Sequence, residues 1–264
     1  WFTNDIWNNN MDFNDIKSML SNIVENTSHK SGIAITTRNR PEMLRACLMH
    51  FKAYTNKEAL KHLIIYDDSS DYELRLKNQE IVKQYGMSDR YYVGKTQVGV
   101  AQAKNCCMYI LGNTYDYYFL FDDDTFPIKK GWIELYIKAR QQSGFHHLLY
   151  GNDTHCTITG KNDGIEFYSQ GFGVLLFFTK EMYEKLGGFC TSYGIYGIEH
   201  VDFTLRAHKA GMTNLLQAYA GPEGCLNYIW NADTKTPQQK TLIEVSMDEE
   251  SIPRADKNEN AKLA

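Results

Sequence analysis

The stretch YYFLFDDDTF at residues 117–126 joins five consecutive aromatic or aliphatic residues to three aspartates. A short run that is apolar on both faces predicts a strand buried inside a sheet. In an extended chain alternate side chains share a face, so we expect Asp122 and Asp124 to point together and Asp123 to point away. Such a pair repels unless a cation neutralises it, and Mg²⁺ or Mn²⁺ suits oxygen ligands while keeping positions open for phosphates. The competing interpretation is a solvated acidic turn.

Three further apolar runs precede this stretch, and each is followed by a helical pattern. The runs are Gly32–Thr37, Leu63–Tyr66 and Arg90–Val93, and the expected helices cover residues 42–54, 72–85 and 101–111. Repeated alternation of strand and helix is typical of an α/β fold with a mostly parallel central sheet flanked by helices. Ligands bind at the carboxyl ends of the strands in such sheets. Carboxylates follow the second and fourth runs, so we expect the site at that edge.

The second apolar run leads into YDDSSD, residues 66–71. A carboxylate at the end of a buried strand can accept the imide N–H of uracil, which makes Asp67 a candidate for recognition of a uridine nucleotide. The alternative is an Asx-type turn that caps the following helix.

The second half of the chain has a different pattern, with longer strands that are antiparallel or mixed. Strands are expected at residues 147–159, 165–179 and 215–219, and helices at residues 180–186 and 199–210. We expect three segments in the whole chain. They are an N-terminal helical extension at residues 1–30, with an amphipathic stretch at residues 11–24, one domain at residues 31–231, and a polar C-terminal tail at residues 232–264.

The composition of the 264 residues excludes several classes of partner. The formal net charge is −4 and no block of Lys and Arg stands out, so nucleic acid is not an expected partner. The six cysteines form no CxxC motif, which favours reduced thiols and a cytoplasmic protein. No apolar run reaches the roughly 18 residues that a membrane span needs, so we expect no membrane span in this chain.

Five collinear segments between Gly32 and Gly211 resemble the inverting glycosyltransferases of family 2, which have the GT-A fold. The segments are IAITTRNRPEMLRACL (33–48), IIYDDSSD (64–71), VGVAQAKN (98–105), FLFDDDTF (119–126), and TKEMYEKLGGF (179–189) followed by YGIEHVDFTLRAHKAG (196–211). They are similar to the family's opening strand and helix, its acidic base-binding loop, its Gly-x-x-x-Ala-Arg/Lys-Asn helix, its DxD motif and its Gly-Gly-Phe plus Glu-Asp region. One such match is weak evidence; five in the right order are strong.

The resemblance implies an enzyme that moves a sugar from a nucleotide diphosphate donor, expected to be a UDP-sugar, to a glycan or other hydroxyl acceptor. Residues 31–125 would form the nucleotide-binding half and residues 126–231 the acceptor half. The implied cofactor is Mn²⁺ or Mg²⁺, held on the diphosphate by Asp122 and Asp124. The implied donor-binding residues are Thr37, Arg38, Asp67 and Asp68 at the base, Lys104 and Asn105 at the base and phosphates, Asp122 and Asp123, and Gly173 beside the sugar.

The acceptor segment departs from the family, which usually has Glu-Asp where this chain has Glu199-His200. Inversion requires a general base that removes the proton of the acceptor hydroxyl, and Glu199, His200 and Asp202 are the candidates. An imidazole is a competent base near neutral pH, but His200 is equally compatible with a third metal ligand or a structural histidine. Asp202 is also spaced to pair with Arg206 one turn later.

Three other classes of protein share parts of this pattern. A nucleotidyltransferase needs a Gly-rich phosphate loop after the first strand, where this chain has Thr37-Arg38-Asn39-Arg40. A haloacid-dehalogenase-type phosphatase needs Thr or Val two residues after the second aspartate, where this chain has Phe126. A sugar-nucleotide-binding module without transfer activity is the non-enzymatic alternative, and the Glu-His departure motivates it.

Overall fold

The computed structural model describes residues 29–151, 156–214 and 216–232. The strands are β1 (Ser31–Thr37), β2 (Leu63–Asp67), β3 (Tyr91–Val93), β4 (Tyr117–Asp122), β5 (Thr125–Pro127), β6 (His147–Leu149), β7 (Ile158–Asn162), β8 (Ile165–Tyr168), β9 (Leu175–Thr179), β10 (Ala220–Pro222) and β11 (Ile229–Asn231). The α-helices are α1 (Pro41–Tyr54), α2 (Lys57–Leu60), α3 (Tyr72–Gln84), α4 (Val100–Leu111), α5 (Trp132–Ser143), α6 (Lys180–Leu186) and α7 (Glu199–Lys209).

A six-stranded sheet with the order β3-β2-β1-β4-β9-β6 forms the centre of the fold. Strands β1 to β4 pair in parallel, whereas β9 is antiparallel to both β4 and β6. The mostly parallel α/β sheet expected from the alternating pattern is therefore confirmed. So is the prediction that strands of the second half pair in the opposite direction.

Both faces of the sheet are covered because its strands are apolar on both sides. In β1, Ile33 and Ile35 pack on the face that carries α1, α3 and α5, while Ala34 packs on the face that carries α4, α6 and α7. The first face centres on Trp132, whose ring meets Phe119 edge to face at 5.0 Å. Replacing so large a buried side chain with alanine typically costs about 3–5 kcal/mol.

Two small antiparallel sheets lie outside the central one. Strands β10, β8 and β7 form one of them, and β11 with β5 forms the other. The pair β5–β11 follows the three aspartates directly, and Asn231 secures it by donating from Nδ2 to Thr125 Oγ1 at 2.6 Å. The backbone N–H of Ala232 donates to the carbonyl oxygen of Asp124 at 3.1 Å. Residues 231 and 232 therefore hold the far side of the aspartate turn.

Three predictions about the second half were wrong in detail. The single strands expected at 147–159 and 165–179 are each divided, into β6 and β7 and into β8 and β9. Gly171 lies in the second interruption, where an added Cβ would come within 2.5 Å of Leu149. The late strand is Ala220–Pro222, and residues 216–219 are not in a strand.

The sequence interpretation also missed α5, although its pattern is present. Trp132, Ile133, Tyr136 and Ala139 are buried at helical spacing, and left-handed glycines at 131 and 144 bound the helix. The amphipathic stretch at 11–24, and all but residue 232 of the expected tail, lie outside the described residues.

All six cysteines are free thiols. Among the helices of the described residues, none combines the length and the apolar character that crossing a membrane requires.

Candidate active site

The carboxyl ends of β1, β2 and β4 lie side by side and bring together the polar residues that end these strands. Thr36 is opposite Asp122 in the β1–β4 pair, and Thr37 is opposite Asp67 in the β1–β2 pair. The hydroxyl of Thr36 donates to Asp122 Oδ1 at 3.1 Å. The candidate site therefore lies at the edge expected for a parallel sheet.

The three aspartates divide into two accessible residues and one buried residue. The side chains of Asp122 and Asp124 are 26% and 21% exposed, whereas that of Asp123 is 0% exposed. Asp123 accepts a hydrogen bond from Thr37 Oγ1 at 2.6 Å and forms an ion pair with Arg40. Arg40 also donates to Asp124 Oδ2 at 3.0 Å. Asp123 and Thr37, both expected at the donor, instead bond to each other beneath the turn.

Arg40 keeps its charge in this cluster. Burial on its own lowers the pKa of its guanidinium, but the carboxylates of Asp123 and Asp124 outweigh burial and raise the pKa above its ordinary value. A permanent cation therefore fixes the aspartate turn from the side of α1. Because one guanidinium reaches two carboxylates, it sets the direction of Asp124 as well as balancing charge.

Lys104 is a second cation of the site and, unlike Arg40, it is fully buried. It is 0% exposed, and its Nζ donates to the carbonyl oxygen of Gly173 at 2.7 Å and lies 3.1 Å from Asp122 Oδ1. Burial lowers its pKa, but Asp122 and Glu199 more than compensate and raise the pKa above the usual value. Lys104 therefore links Asp122 electrostatically to Glu199, and its expected place at the base and phosphates of the donor stays a prediction.

The side chain of Asn105 hydrogen-bonds to the backbone of the Gly187-Gly188-Phe189 segment. Its Nδ2 donates to the carbonyl oxygen of Phe189 at 2.9 Å, and its Oδ1 accepts the N–H of Phe189 at 2.7 Å. An added Cβ on Gly188 would come within 2.2 Å of Asn105 Oδ1, so this contact requires glycine. With its amide engaged in this way, Asn105 fixes the backbone of Phe189, and its expected place at the base and phosphates stays a prediction.

Asp67 is occupied by internal donors. Its side chain accepts from the N–H of Ser70 at 2.7 Å, from Asn78 Nδ2 at 2.9 Å and from the hydroxyl of Tyr91 at 2.5 Å. The residue is 0% exposed. In this arrangement the Asp67 carboxylate braces the loop after β2, and its assignment to uracil recognition stays a prediction.

Asp68 and Arg38 are the remaining residues expected at the base. Asp68 accepts the N–H groups of Val98 and Gly99 at 2.8 and 3.0 Å and so fixes the loop before α4. Arg38 is partly exposed, and its Nε is buried without a hydrogen-bond partner among the described residues. A buried N–H donor of this kind is costly unless a ligand engages it.

Gly173 makes room for His200. A Cβ at residue 173 would come within 2.7 Å of the imidazole Cγ of His200. Gly173 also precedes β9 instead of lying in it. The expected space beside a donor sugar is therefore filled, in this structure, by the residue that departs from the family pattern.

Glu199 and His200 occupy the first turn of α7. Nδ1 of His200 lies 3.6 Å from Glu199 Oε1, and the side chains are 20% and 4% exposed respectively. Burial alone raises the pKa of Glu199, but the hydrogen bond from His200 and the charge of Lys104 outweigh it, so the pKa lies below its ordinary value. The pair is thus a buried carboxylate behind a more exposed imidazole.

Asp202 is paired with Arg206, as its spacing predicts, at 2.9 Å between Oδ2 and Nε. The same guanidinium donates to the carbonyl oxygens of Leu186 at 3.0 Å and Gly188 at 2.7 Å. Asp202 therefore orients an arginine that ties α7 to the end of α6. This structural role separates it from the other two candidates for the base.

A divalent cation fits the aspartate turn as a two-carboxylate site. Within the ranges that the structure describes, no group of three or more His, Cys, Asp and Glu side chains is placed to hold a metal ion. Asp122 and Asp124 are both partly exposed carboxylates at the end of one strand. Mg²⁺ is commonly held by one or two carboxylates and completes its coordination with substrate phosphates and water.

Sequence reasoning missed several residues that shape the site: Thr36, Arg40, Asn78, Tyr91, His147 and Thr204. Of these residues, only Asn78 is marked by a pattern in the sequence. It precedes Ile81 and Val82 by three and four residues, so a polar side chain occupies the apolar face of α3. The others contact residues distant in sequence, and no local pattern marks them.

Comparison with known proteins identifies the family. The sequence profile of Glycosyl transferase family 2 matches residues 32–198, more than half of the chain. The matched span includes the aspartate turn, Lys104 and Gly173, and it ends one residue before Glu199. The chain belongs to glycosyl transferase family 2. It is therefore a glycosyltransferase, which argues against the nucleotidyltransferase, the phosphatase and the binding module without activity.

A curated relative supports the same family. The uncharacterized glycosyltransferase R363 of Acanthamoeba polyphaga mimivirus is 26% identical to this family 2 chain over 202 residues, which cover 70% of this chain and 76% of the relative.

Solved structures show the GT-A fold. A mannosyltransferase from Pyrobaculum calidifontis, in complex with GDP-Man and Mn²⁺, superposes with a TM-score of 0.55 at 13% identity and covers 71% of this chain. GalNAc-T7 with UDP, GalNAc and Mn²⁺ superposes with a TM-score of 0.61 at 12% identity and covers 82%. The protein spans about half the length of these two structures: 54% of the mannosyltransferase and 48% of GalNAc-T7.

Proposed function

We propose that this glycosyltransferase transfers a sugar from a UDP-sugar to a hydroxyl of a glycan acceptor, with inversion and with Mn²⁺ or Mg²⁺ at Asp122 and Asp124. The observation that carries the proposal is the pair of partly exposed carboxylates at the end of β4, held in place by the partly exposed Arg40 and the buried Lys104. A bound cation would neutralise the diphosphate and so assist its departure. The metal complexes of the two solved relatives support the same cofactor.

Uracil is the base we propose for the donor. Its support is Arg38, a partly exposed side chain that directly follows β1 at the edge of the sheet where ligands bind, and whose guanidinium can donate to a carbonyl oxygen of the base. Guanine also offers a carbonyl, and one solved relative holds GDP-Man while the other holds UDP. Calorimetric titration with UDP and GDP, each with Mn²⁺, separates the two. Tighter binding of GDP would contradict the assignment.

His200 is our proposed general base, with Glu199 as the carboxylate that orients it. The imidazole is the more exposed member of the pair, and its Nδ1 faces Glu199, which leaves Nε2 for the acceptor hydroxyl. Asp202 is committed to Arg206. The base would take the acceptor proton as the hydroxyl oxygen attacks the anomeric carbon, and the diphosphate would leave from the opposite face of the sugar.

The residues just before Glu199, on the side where we propose that the acceptor binds, expose apolar side chains. Ile195, Tyr196 and Ile198 are 55%, 53% and 56% exposed, and the carbonyl oxygen of Ile195 is fixed by the N–H of Val100 at 2.9 Å. Exposed aromatic and aliphatic side chains suit the apolar face of a sugar ring. These contacts support a glycan as the acceptor.

A transfer assay with variants of the first turn of α7 tests this function. His200→Ala and Glu199→Gln should each lower turnover by about 10²- to 10⁴-fold while nucleotide affinity stays unchanged, because a positioned base acts only in the chemical step. His200→Asp is the matched control, since it restores the Glu-Asp pair that is usual in the family, and should retain more activity than His200→Ala. Full turnover in His200→Ala would contradict the assignment, and a product with retained anomeric configuration would exclude inversion.

A further inference from the structure

A buried chain of polar contacts connects β6 and β9 to the first turn of α7. Nδ1 of His147 lies 2.8 Å from the carbonyl oxygen of Phe177, and its Nε2 lies 2.9 Å from Thr204 Oγ1. The hydroxyl of Thr204 lies 2.8 Å from the carbonyl oxygen of His200. A side chain of the central sheet thus reaches the backbone of the proposed base through one hydroxyl.

The chain of contacts is enclosed by apolar side chains. His147 and Thr204 are each 1% exposed, and the imidazole meets the ring of Phe203 edge to face at 5.5 Å. Phe203 in turn stacks on Phe189 at 4.3 Å. In such surroundings hydrogen bonds are stronger and more directional than in water, so they constrain the groups they join.

His147 and Thr204 supply fewer hydrogens than this series of polar contacts would need. Burial and the nearby His200 lower the pKa of His147, the carbonyl of Phe177 opposes them, and the result is a pKa of about 4. The imidazole is therefore neutral at pH 7 and has one N–H, and Thr204 adds one hydroxyl hydrogen. Three contacts share two hydrogens, so the tautomer of His147 decides whether Thr204 donates to the imidazole or to the carbonyl oxygen of His200.

We propose that His147 and Thr204 are positioning residues that set the orientation of His200 through the His200 carbonyl. The proposal rests on the proposed function, in which His200 removes the acceptor proton. Neither residue is placed to touch a substrate. In the tautomer that carries its hydrogen on Nε2, His147 donates to Thr204, the Thr204 hydroxyl donates to the carbonyl oxygen of His200, and Nδ1 faces the Phe177 carbonyl without a hydrogen; this tautomer ties the first turn of α7 to the sheet.

Paired variants separate positioning from simple support of the fold. Thr204→Val removes the hydroxyl, whereas Thr204→Ser keeps it. His147→Asn keeps a donor near the carbonyl of Phe177, whereas His147→Gln keeps a polar group near Thr204. We expect Thr204→Val and His147→Asn to lower kcat about 10- to 100-fold, with the nucleotide Kd unchanged, because a small misplacement of a reacting group has effects of this size. Thr204→Ser and His147→Gln should retain most of the turnover.

His146 offers a matched control, since it is the neighbouring histidine and contacts Thr179 Oγ1 at 2.8 Å instead of α7. His146→Asn should leave kcat unchanged. A kcat of Thr204→Val within about twofold of the unaltered enzyme would overturn the proposal, as would an equal loss in Thr204→Ser.

NMR of the His200 imidazole gives a readout that does not require turnover. Thr204→Val should shift the ring signals of His200, and His146→Asn should not. If the unaltered enzyme transfers no sugar, the proposed function fails, while unchanged His200 signals in Thr204→Val overturn the positioning role independently.

Discussion

Two strands of the central sheet end in aspartates, and the two groups serve different purposes. At the end of β2, Asp67 is 0% exposed and accepts three hydrogen bonds from its own chain. At the end of β4, Asp122 and Asp124 are partly exposed and are held from below by Lys104 and Arg40. A carboxylate surrounded by neutral donors braces a loop, whereas a pair of carboxylates held by two cations and open to solvent is suited to a ligand.

The largest expected effect is at the β4 aspartates. Asp124→Ala should lower turnover by about 10²- to 10³-fold, the loss typical when one stabilising electrostatic group is removed from an active site. Mn²⁺-dependent binding of the nucleotide should be lost in calorimetry, and the urea midpoint of the unliganded protein should change little. Asp89→Ala, at a side chain 80% exposed, is the matched control. Full activity of the unaltered enzyme in excess chelator would show that turnover does not require a metal ion.

A smaller effect, on stability, is expected at β2. Asp67→Ala leaves the N–H of Ser70, the amide of Asn78 and the hydroxyl of Tyr91 without their acceptor, and each such group costs about 1–3 kcal/mol. Urea denaturation should show a loss of at least about 3 kcal/mol. Asp71→Ala, at an exposed position of the same loop, should show little change. If Asp67→Ala kept its stability but lost UDP affinity, the distinction between the two acidic groups would fail.

The smallest effect comes from removing one of the three donors to Asp67. Tyr91→Phe should lower the free energy of unfolding by about 1 kcal/mol, because two of the three hydrogen bonds remain. Burial and the hydrogen bond to Asp67 raise the pKa of Tyr91 above its ordinary value, so the phenol stays protonated and donating across the neutral range. Turnover should be unaltered, and a marked fall in kcat for this variant would indicate a direct link between β2 and the chemistry.

The sequence predicted what depends on local pattern. The alternating strands and helices, the parallel sheet and the accessible pair in the aspartate turn follow from periodicity over a few residues. The family resemblance added the order of the motifs and the position of Glu199 and His200.

The roles of the aspartates and of the polar residues of α4 could not be predicted, because they depend on contacts with residues distant in the sequence. Asp67 looks like Asp122 in the sequence, and only the contacts with Asn78 and Tyr91 separate them. Asn105 is 84 residues away from Phe189 in the sequence, so no pattern among neighbouring residues predicts the hydrogen bonds between them. Gly173 is expected to leave room beside the donor sugar, and only the structure shows that the residue packed against it is His200, 27 positions later.

The pairing of β5 with β11 has a consequence for the order in which the enzyme is completed during synthesis. The side chain of Asn231 and the carbonyl oxygen of Asp124 meet across 107 residues. At ribosomal rates of about 5–20 residues per second, roughly 5–20 s pass between synthesis of the aspartate turn and arrival of the strand that covers it. A nascent chain can assemble the four parallel strands in that time. Its aspartate turn, however, remains uncovered by β11 until almost the whole domain has emerged.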